Sequence, residues 1–175
     1  SATITTPSSP TSGVTGLGVG LNTFVWTISN GVCTASFDSI SIFRYDFPTV
    51  ANAGPDQTLC SNLATLAGNT STVGTGVWTV ISGSSTITTP TSPTSGITGL
   101  SFGINTFRWT ISNGVCTPSF DDVTIFRDTP PTPANAGTNQ TICSTSSTLS
   151  GNPPLVGTGV WTIVTGSATI TTPSS

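Results

Sequence analysis

Over Asn105-Thr106-Phe107-Arg108-Trp109-Thr110-Ile111-Ser112 apolar and polar side chains alternate. A period of two puts Phe107, Trp109 and Ile111 on one face and Thr106, Arg108 and Thr110 on the other, the pattern of a half-buried strand. Ser119 to Arg127 reads as the last strand, with Val123 and Ile125 inward. Val77-Trp78-Thr79-Val80-Ile81, opened by Gly74-Thr75-Gly76, predicts another. Asp56 to Cys60 and Ala64 to Ala67 predict two short strands, and the Thr-rich segment 86–98 one or two weak edge strands around Pro90 and Pro93. Asn113-Gly114 predicts a two-residue hairpin turn, because both positions tolerate positive φ. Six or seven short strands with closely spaced turn signals indicate a β-sandwich. Trp78, Trp109, Phe107 and Ile111 are expected to fill its core.

This pattern repeats. Ser1-Ala2-Thr3-Ile4-Thr5-Thr6-Pro7 returns as Ser84-Ser85-Thr86-Ile87-Thr88-Thr89-Pro90, and again as Ser167-Ala168-Thr169-Ile170-Thr171-Thr172-Pro173. The offset is 83 residues both times, and 1–83 aligns with 84–166 without a gap at 55 identities. That period is too long for a solenoid coil or propeller blade and suits one small β-domain per repeat. Pro-rich stretches at 47–50 and 130–133 read as linkers, since Pro is excluded from central strands. The expected organisation is therefore the C-terminal half of a repeat at 1–47, a complete sandwich at 48–130, and the N-terminal half of the next at 131–175. Such a chain reads as a window onto a much longer protein. The alternative is that the complementary halves complete each other head to tail between copies, a contact that propagates into a filament.

Composition narrows the chemistry. The chain has 175 residues, of which 37 are Thr and 25 Ser; it has no Lys, Glu, His or Met, and only 5% of it is charged. Strong helix formers are scarce, which agrees with an all-β chain. Without His or Lys there is no Ser/His/Asp or Cys/His nucleophile, no histidine metal site and no Schiff base, so we expect no enzyme, no metal and no cofactor. A net charge of −3 offers nucleic acid nothing, and no apolar run is long enough for a membrane span. A mean hydropathy of +0.21 argues for a packed core rather than disorder.

Four cysteines allow three pairings. Cys33–Cys60 with Cys116–Cys143 would staple neighbouring domains, but a whole strand and a linker intervene. A first strand lying beside the last would instead bring Cys60 to the final hairpin, so we expect Cys60–Cys116 within one domain, with Cys33 and Cys143 pairing to equivalents elsewhere. Closing that loop is worth about 4 kcal/mol in the chain-entropy model. Paired cysteines imply an oxidising, extracytoplasmic compartment.

The remaining polar candidates are weaker. Asp121 and Asp122 are adjacent on a strand and point to opposite faces, so they do not form one calcium site, which needs six to eight oxygens; calcium between domains stays open. Arg44 and Arg127, six residues after Asp38 and Asp121, are the expected ion partners. The hydroxyl-rich run Thr86 to Ser95 reads first as edge strand and loop, second as a sugar-binding or glycosylated surface. Asp38-Ser39-Ile40 resembles the O-glycan acceptor of Bacteroidota, and Asn69-Thr70-Ser71 and Asn139-Gln140-Thr141 are N-glycan sequons.

Ala51-Asn52-Ala53-Gly54-Pro55-Asp56-Gln57-Thr58 resembles the opening of PKD-like repeats in large secreted surface proteins. Gly76-Val77-Trp78-Thr79-Val80-Ile81-Ser82-Gly83, with Asn105 through Cys116, is similar to repeats of SprB-type gliding-motility adhesins. The resemblance covers essentially the whole chain. The Trp-Asp-Phe-Gly-Asp-Gly core of ordinary PKD domains is absent, and Ala136-Gly137-Thr138-Asn139 lacks the Pro-Asp pair. The resemblance implies tandem Ig-like, PKD-like sandwiches in a giant cell-surface adhesin exported by type IX secretion. Its expected partners are neighbouring repeats, other filament strands, and a polysaccharide or substratum reached through regions elsewhere. Competing expectations are a polysaccharide-binding repeat and an accessory array of a secreted enzyme. Ice binding by regular Thr rows is disfavoured by the long period.

Overall fold

The computed structural model describes residues 1–171; Thr172-Pro173 of the third heptad copy, with the rest of the 131–175 segment's end, lies outside the described residues. Among the described residues there is no helix. Strands β1 (Thr3–Ile4), β2 (Val14–Thr15), β3 (Gly20–Ile28) and β4 (Ser36–Arg44) precede the first Pro-rich linker. Between the linkers lie β5 (Gln57–Leu59), β6 (Leu63–Thr65), β7 (Thr75–Ser82), β8 (Thr86–Ile87), β9 (Gly96–Thr98), β10 (Gly103–Ser112) and β11 (Ser119–Arg127). The alternating segment 105–112 is the C-terminal eight residues of β10, and of the weak edge strands expected in the Thr-rich segment β8 lies at a sheet edge, whereas β9 is central, between β6 and β8.

Residues between the linkers form an Ig-like β-sandwich. One sheet has the order β5-β11-β10-β7 and the other β6-β9-β8. Their inner faces bury Leu66, Trp78, Ile97, Leu100, Phe107, Trp109, Ile111, Val123 and Ile125. Alternation explains the choice: Phe107, Trp109 and Ile111 are fully buried, while Thr106, Arg108 and Thr110 are only partly covered. Trp78 and Trp109 stack at the centre with ring centroids 5.0 Å apart and tilted by 38°. Their indole N–H groups donate to the carbonyls of Pro93 (3.1 Å) and Asn69 (3.2 Å), so neither buried donor is left unpaired. Gly76 makes room for this: a Cβ there would collide with the Trp109 indole.

The hairpin between β10 and β11 is longer than the two-residue turn expected. Ile111 pairs with Ser119, leaving 112–118 between them. Gly114 alone takes positive φ, and Cys116 N–H donates to Asn113 carbonyl at 3.1 Å. This is a four-residue turn, Asn113 to Cys116, followed by Pro118, which has no N–H to extend the ladder.

The flanking segments are partial copies of the same design. β1 pairs β2 and β3 pairs β4, at the repeat positions of β8–β9 and β10–β11. The register of β3–β4 (Gly20 opposite Arg44 through Ile28 opposite Ser36) reproduces that of β10–β11 pair for pair. Among the described residues, 131–171 contains no strand.

The core makes a quantitative prediction. Trp109→Ala removes one of the two indoles of the central pair and should destabilise the complete unit by about 3–5 kcal/mol. Gly76→Ala forces a methyl against the same ring and should cost about 1–3 kcal/mol. Chemical denaturation followed by tryptophan fluorescence measures both; a Gly76→Ala variant as stable as the parent would refute this packing.

Candidate functional site

Two features could carry function: the closed core of the complete unit, and the joints through which units meet. The core is built across the chain from a front half (48–82) and a back half (86–127). The entry segment runs alongside the exit strand: Ala51 N–H donates to Ser119 Oγ (2.9 Å), Ala53 N–H to Asp121 Oδ2 (2.8 Å), and Asp56 Oδ1 accepts from Thr124 N–H (2.7 Å). β5 then pairs β11 in parallel, Gln57 opposite Ile125 and Leu59 opposite Arg127. Chain entry and exit therefore lie at opposite ends of the sandwich.

That direction overturns the expected Cys60–Cys116 bridge. Because β5 is parallel to β11, Cys60 lies beside the C-terminal end of β11, where Asp128 N–H donates to Leu59 carbonyl at 2.8 Å. Cys116 sits in the hairpin before the N-terminal end. The nine residues of β11 separate the two by roughly 30 Å at 3.3 Å per residue, where a disulfide needs Cα atoms about 5.5–6 Å apart. Among the described residues all four cysteines, Cys33, Cys60, Cys116 and Cys143, are free.

The joint above the complete unit is resolved in detail. Tyr45, the first residue after β4, lays its ring on Gly114, whose φ of +54° and missing Cβ admit it. Asn113 Nδ2 donates to Asp46 carbonyl at 2.9 Å. The exit of one unit thus rests on the hairpin of the next.

The charged residues distribute differently from expectation. Arg44 lies 3.9 Å from Asp46 rather than against Asp38. Arg127 donates to Leu100 carbonyl and stacks over Phe102, 4.0 Å from the ring centre, while Asp121 is occupied by Ala53. Arg108 and Asp122, opposite each other on β10 and β11, make the ion pair instead, with Nε–Oδ1 at 2.7 Å and Nη2–Oδ2 at 2.8 Å. Arg108 also covers the ring of Phe120 at 4.0 Å. In the preceding copy the opposed residues are Val25 and Ser39, so both members of the pair change together. Asp121 and Asp122 do point to opposite faces, and no cluster of three or more potential metal ligands occurs among the described residues.

Asn105 opens the alternating segment, but its role is not evident from the alternation. It is fully buried on the inward face of β10; its amide donates to Ser101 carbonyl (2.8 Å) and Gly103 carbonyl (3.1 Å) and accepts from Ser101 Oγ (2.8 Å). Ser95 is buried likewise and accepts from Thr89 N–H at 2.9 Å, which ties the Thr-rich segment down as edge strand and loop. A polar residue on an apolar face, repeated as Asn22 one period earlier, is the signal that marks Asn105.

No family model matches the chain, and no curated protein matches it. Among solved structures it is similar to the solution structure of the PKD domain from KIAA 1837 protein, at 22% identity over 47% of this chain and 91% of that chain, with a TM-score of 0.40.

Hydrogen bonding from Arg108 holds the Asp122 carboxyl below its ordinary pKa. A carboxyl depressed in the folded state contributes stability above its unfolded pKa and loses it as pH falls through the folded value. Asp122→Asn should therefore flatten part of the fall in melting temperature as pH drops below the ordinary aspartate value of about 4, read by calorimetry across the acid range. Identical acid profiles for variant and parent would show that the pair contributes nothing.

Proposed function

We propose that the chain is a stalk or filament segment of a large secreted cell-surface adhesin serving attachment and gliding motility. The observation that carries this reading is the parallel side-by-side course of the entry segment and β11. Tension applied through the two linkers acts along those strands, so the backbone hydrogen bonds between them are loaded together in shear rather than unzipped singly. The repeat supplies length, the Pro-rich linkers limit bending, and the joint at Tyr45–Gly114 supports end-to-end stacking. Export, an extracellular location and type IX secretion follow from the resemblance of the repeats to SprB-type adhesins.

The polysaccharide-binding reading needs open aromatic faces. Of the exposed rings of the complete unit, Phe102 and Phe120 are capped on one face by Arg127 and Arg108 while Phe126 is uncapped, and the tryptophans of that unit are buried, so no row of open aromatic faces forms, which favours the stalk.

Two measurements test the proposal. Single-molecule stretching of the chain should show one cooperative force peak from the complete unit, with a length gain of about 25 nm from its residues at roughly 3.6 Å each; extension without a peak would remove the mechanical reading. An antibody against the 113–118 hairpin should label intact source cells and block their attachment. Labelling only after cell lysis would remove the surface reading.

A further inference from the structure

The turn between β10 and β11 holds a reactive pair, Asn113-Gly114. In an Asn-Gly pair the asparagine loses its amide with unusual ease, because glycine has no Cβ to shield the main-chain nitrogen that attacks it. The reaction consumes only water. The Gly114 nitrogen adds to Asn113 Cγ, the Cγ–Nδ2 bond breaks, and ammonia leaves with the proton of the Gly114 N–H. Water then opens the cyclic imide at either carbonyl and leaves Asp or isoAsp at position 113.

Two contacts of the joint act on the atoms of that reaction. Asn113 Nδ2, the leaving nitrogen, donates to Asp46 carbonyl at 2.9 Å. This bond fixes the side-chain torsions that must turn to bring Cγ over the Gly114 nitrogen. The Tyr45 ring fills the place where a Cβ of Gly114 would stand, and so supplies the shielding that glycine lacks. Both contacts are lost when the joint opens. The bond from Cys116 N–H to Asn113 carbonyl, 3.1 Å, belongs to the turn itself and stays. Gly114 is exposed and Asn113 half-buried even with the joint closed, so water reaches the pair as soon as the ring lifts.

The product is unsuited to the seat it leaves. An Asp at 113 has no N–H to offer the Asp46 carbonyl, and it brings a second carboxylate toward that of Asp46, which lies 3.9 Å from Arg44. IsoAsp lengthens the main chain by a methylene inside a closed turn. We propose that Asn113-Gly114 is a self-modifying site gated by the joint: the asparagine persists while Tyr45 and Asp46 are seated, and is converted once they lift. A joint that has stood open then does not reseat, and carries a covalent record of its opening. The rate follows the fraction of time that the joint is open. The inference rests on the contacts of residues 45 and 46 with the turn and is independent of the adhesin reading.

The test incubates the full chain beside a free peptide of sequence 111–116 in mildly alkaline, reducing buffer. Asp and isoAsp are then mapped by mass spectrometry on tryptic fragment 109–127, which separates this pair from Asn30-Gly31 in fragment 1–44. Asn113 of the chain should convert about tenfold more slowly than the peptide, the ratio for a joint closed roughly nine-tenths of the time. Tyr45→Ala keeps the turn bond and the buried tryptophans, and should recover most of that difference; Tyr45→Phe, which keeps the ring, should not. Asn113→Asp should let trypsin cut the native chain after Arg44, beside the joint, as readily as Tyr45→Ala does and faster than in the parent. Conversion of the parent at the peptide's rate would show that the joint shields nothing. A Tyr45→Ala rate equal to the parent's would assign the protection to the turn alone. Asn113→Asp cut as slowly as the parent would show that the joint accepts the product. Each of these three results overturns the proposal.

Discussion

A unit of this chain closes only when the large indole of its back half lies across glycines of its front half. Trp109 occupies space that any side chain at Gly76 would fill, and Trp78 lies against it. Everything else in the sandwich is arranged to bring those groups together: β10 carries Trp109 between β7 and β11, and the parallel course of the entry segment pins the front half against the exit strand. Where one half is present without the other, the loops keep their bonds but the core faces stay open, as Trp26 and Leu149 show.

Much of this was legible from the amino-acid pattern. The period of two placed Phe107, Trp109 and Ile111 on one buried face, and Ser119 to Arg127 is the observed extent of β11. Alternation reports which face of a strand is inward; it is silent about which neighbour the strand chooses and in which direction. That is why the expected bridge between Cys60 and Cys116 failed: the first strand does lie beside the last, but parallel to it. The same silence misplaced the ion partners. Sequence spacing set Asp121 against Arg127, while cross-strand register set Asp122 against Arg108. Buried Asn105 escaped notice because polar residues are read as surface, although here the loop carbonyls at Ser101 and Gly103 require a donor inside.

The two kinds of polar contact in the unit carry different shares of its specificity. Asn105 and Asp121 satisfy main-chain groups next to the core, and their equivalents Asn22 and Asp38 are retained in the other copy. The Arg108–Asp122 pair is exposed and is exchanged as a pair for Val25 and Ser39. Repeats in one chain thus differ where water already solvates the surface and agree where a missing partner would leave a buried group unpaired.

The residue after the last strand gives this uniformity an exception. At one joint it is Tyr45, whose ring sits on Gly114 as a stopper; at the repeat-equivalent place in the next it is Asp128, which has no ring to fill such a seat. The two positions therefore differ in the side chain they bring to a junction, an aromatic ring at 45 and a carboxylate at 128. Repeats that agree in their cores can in this way present different chemistry where one sandwich meets the next.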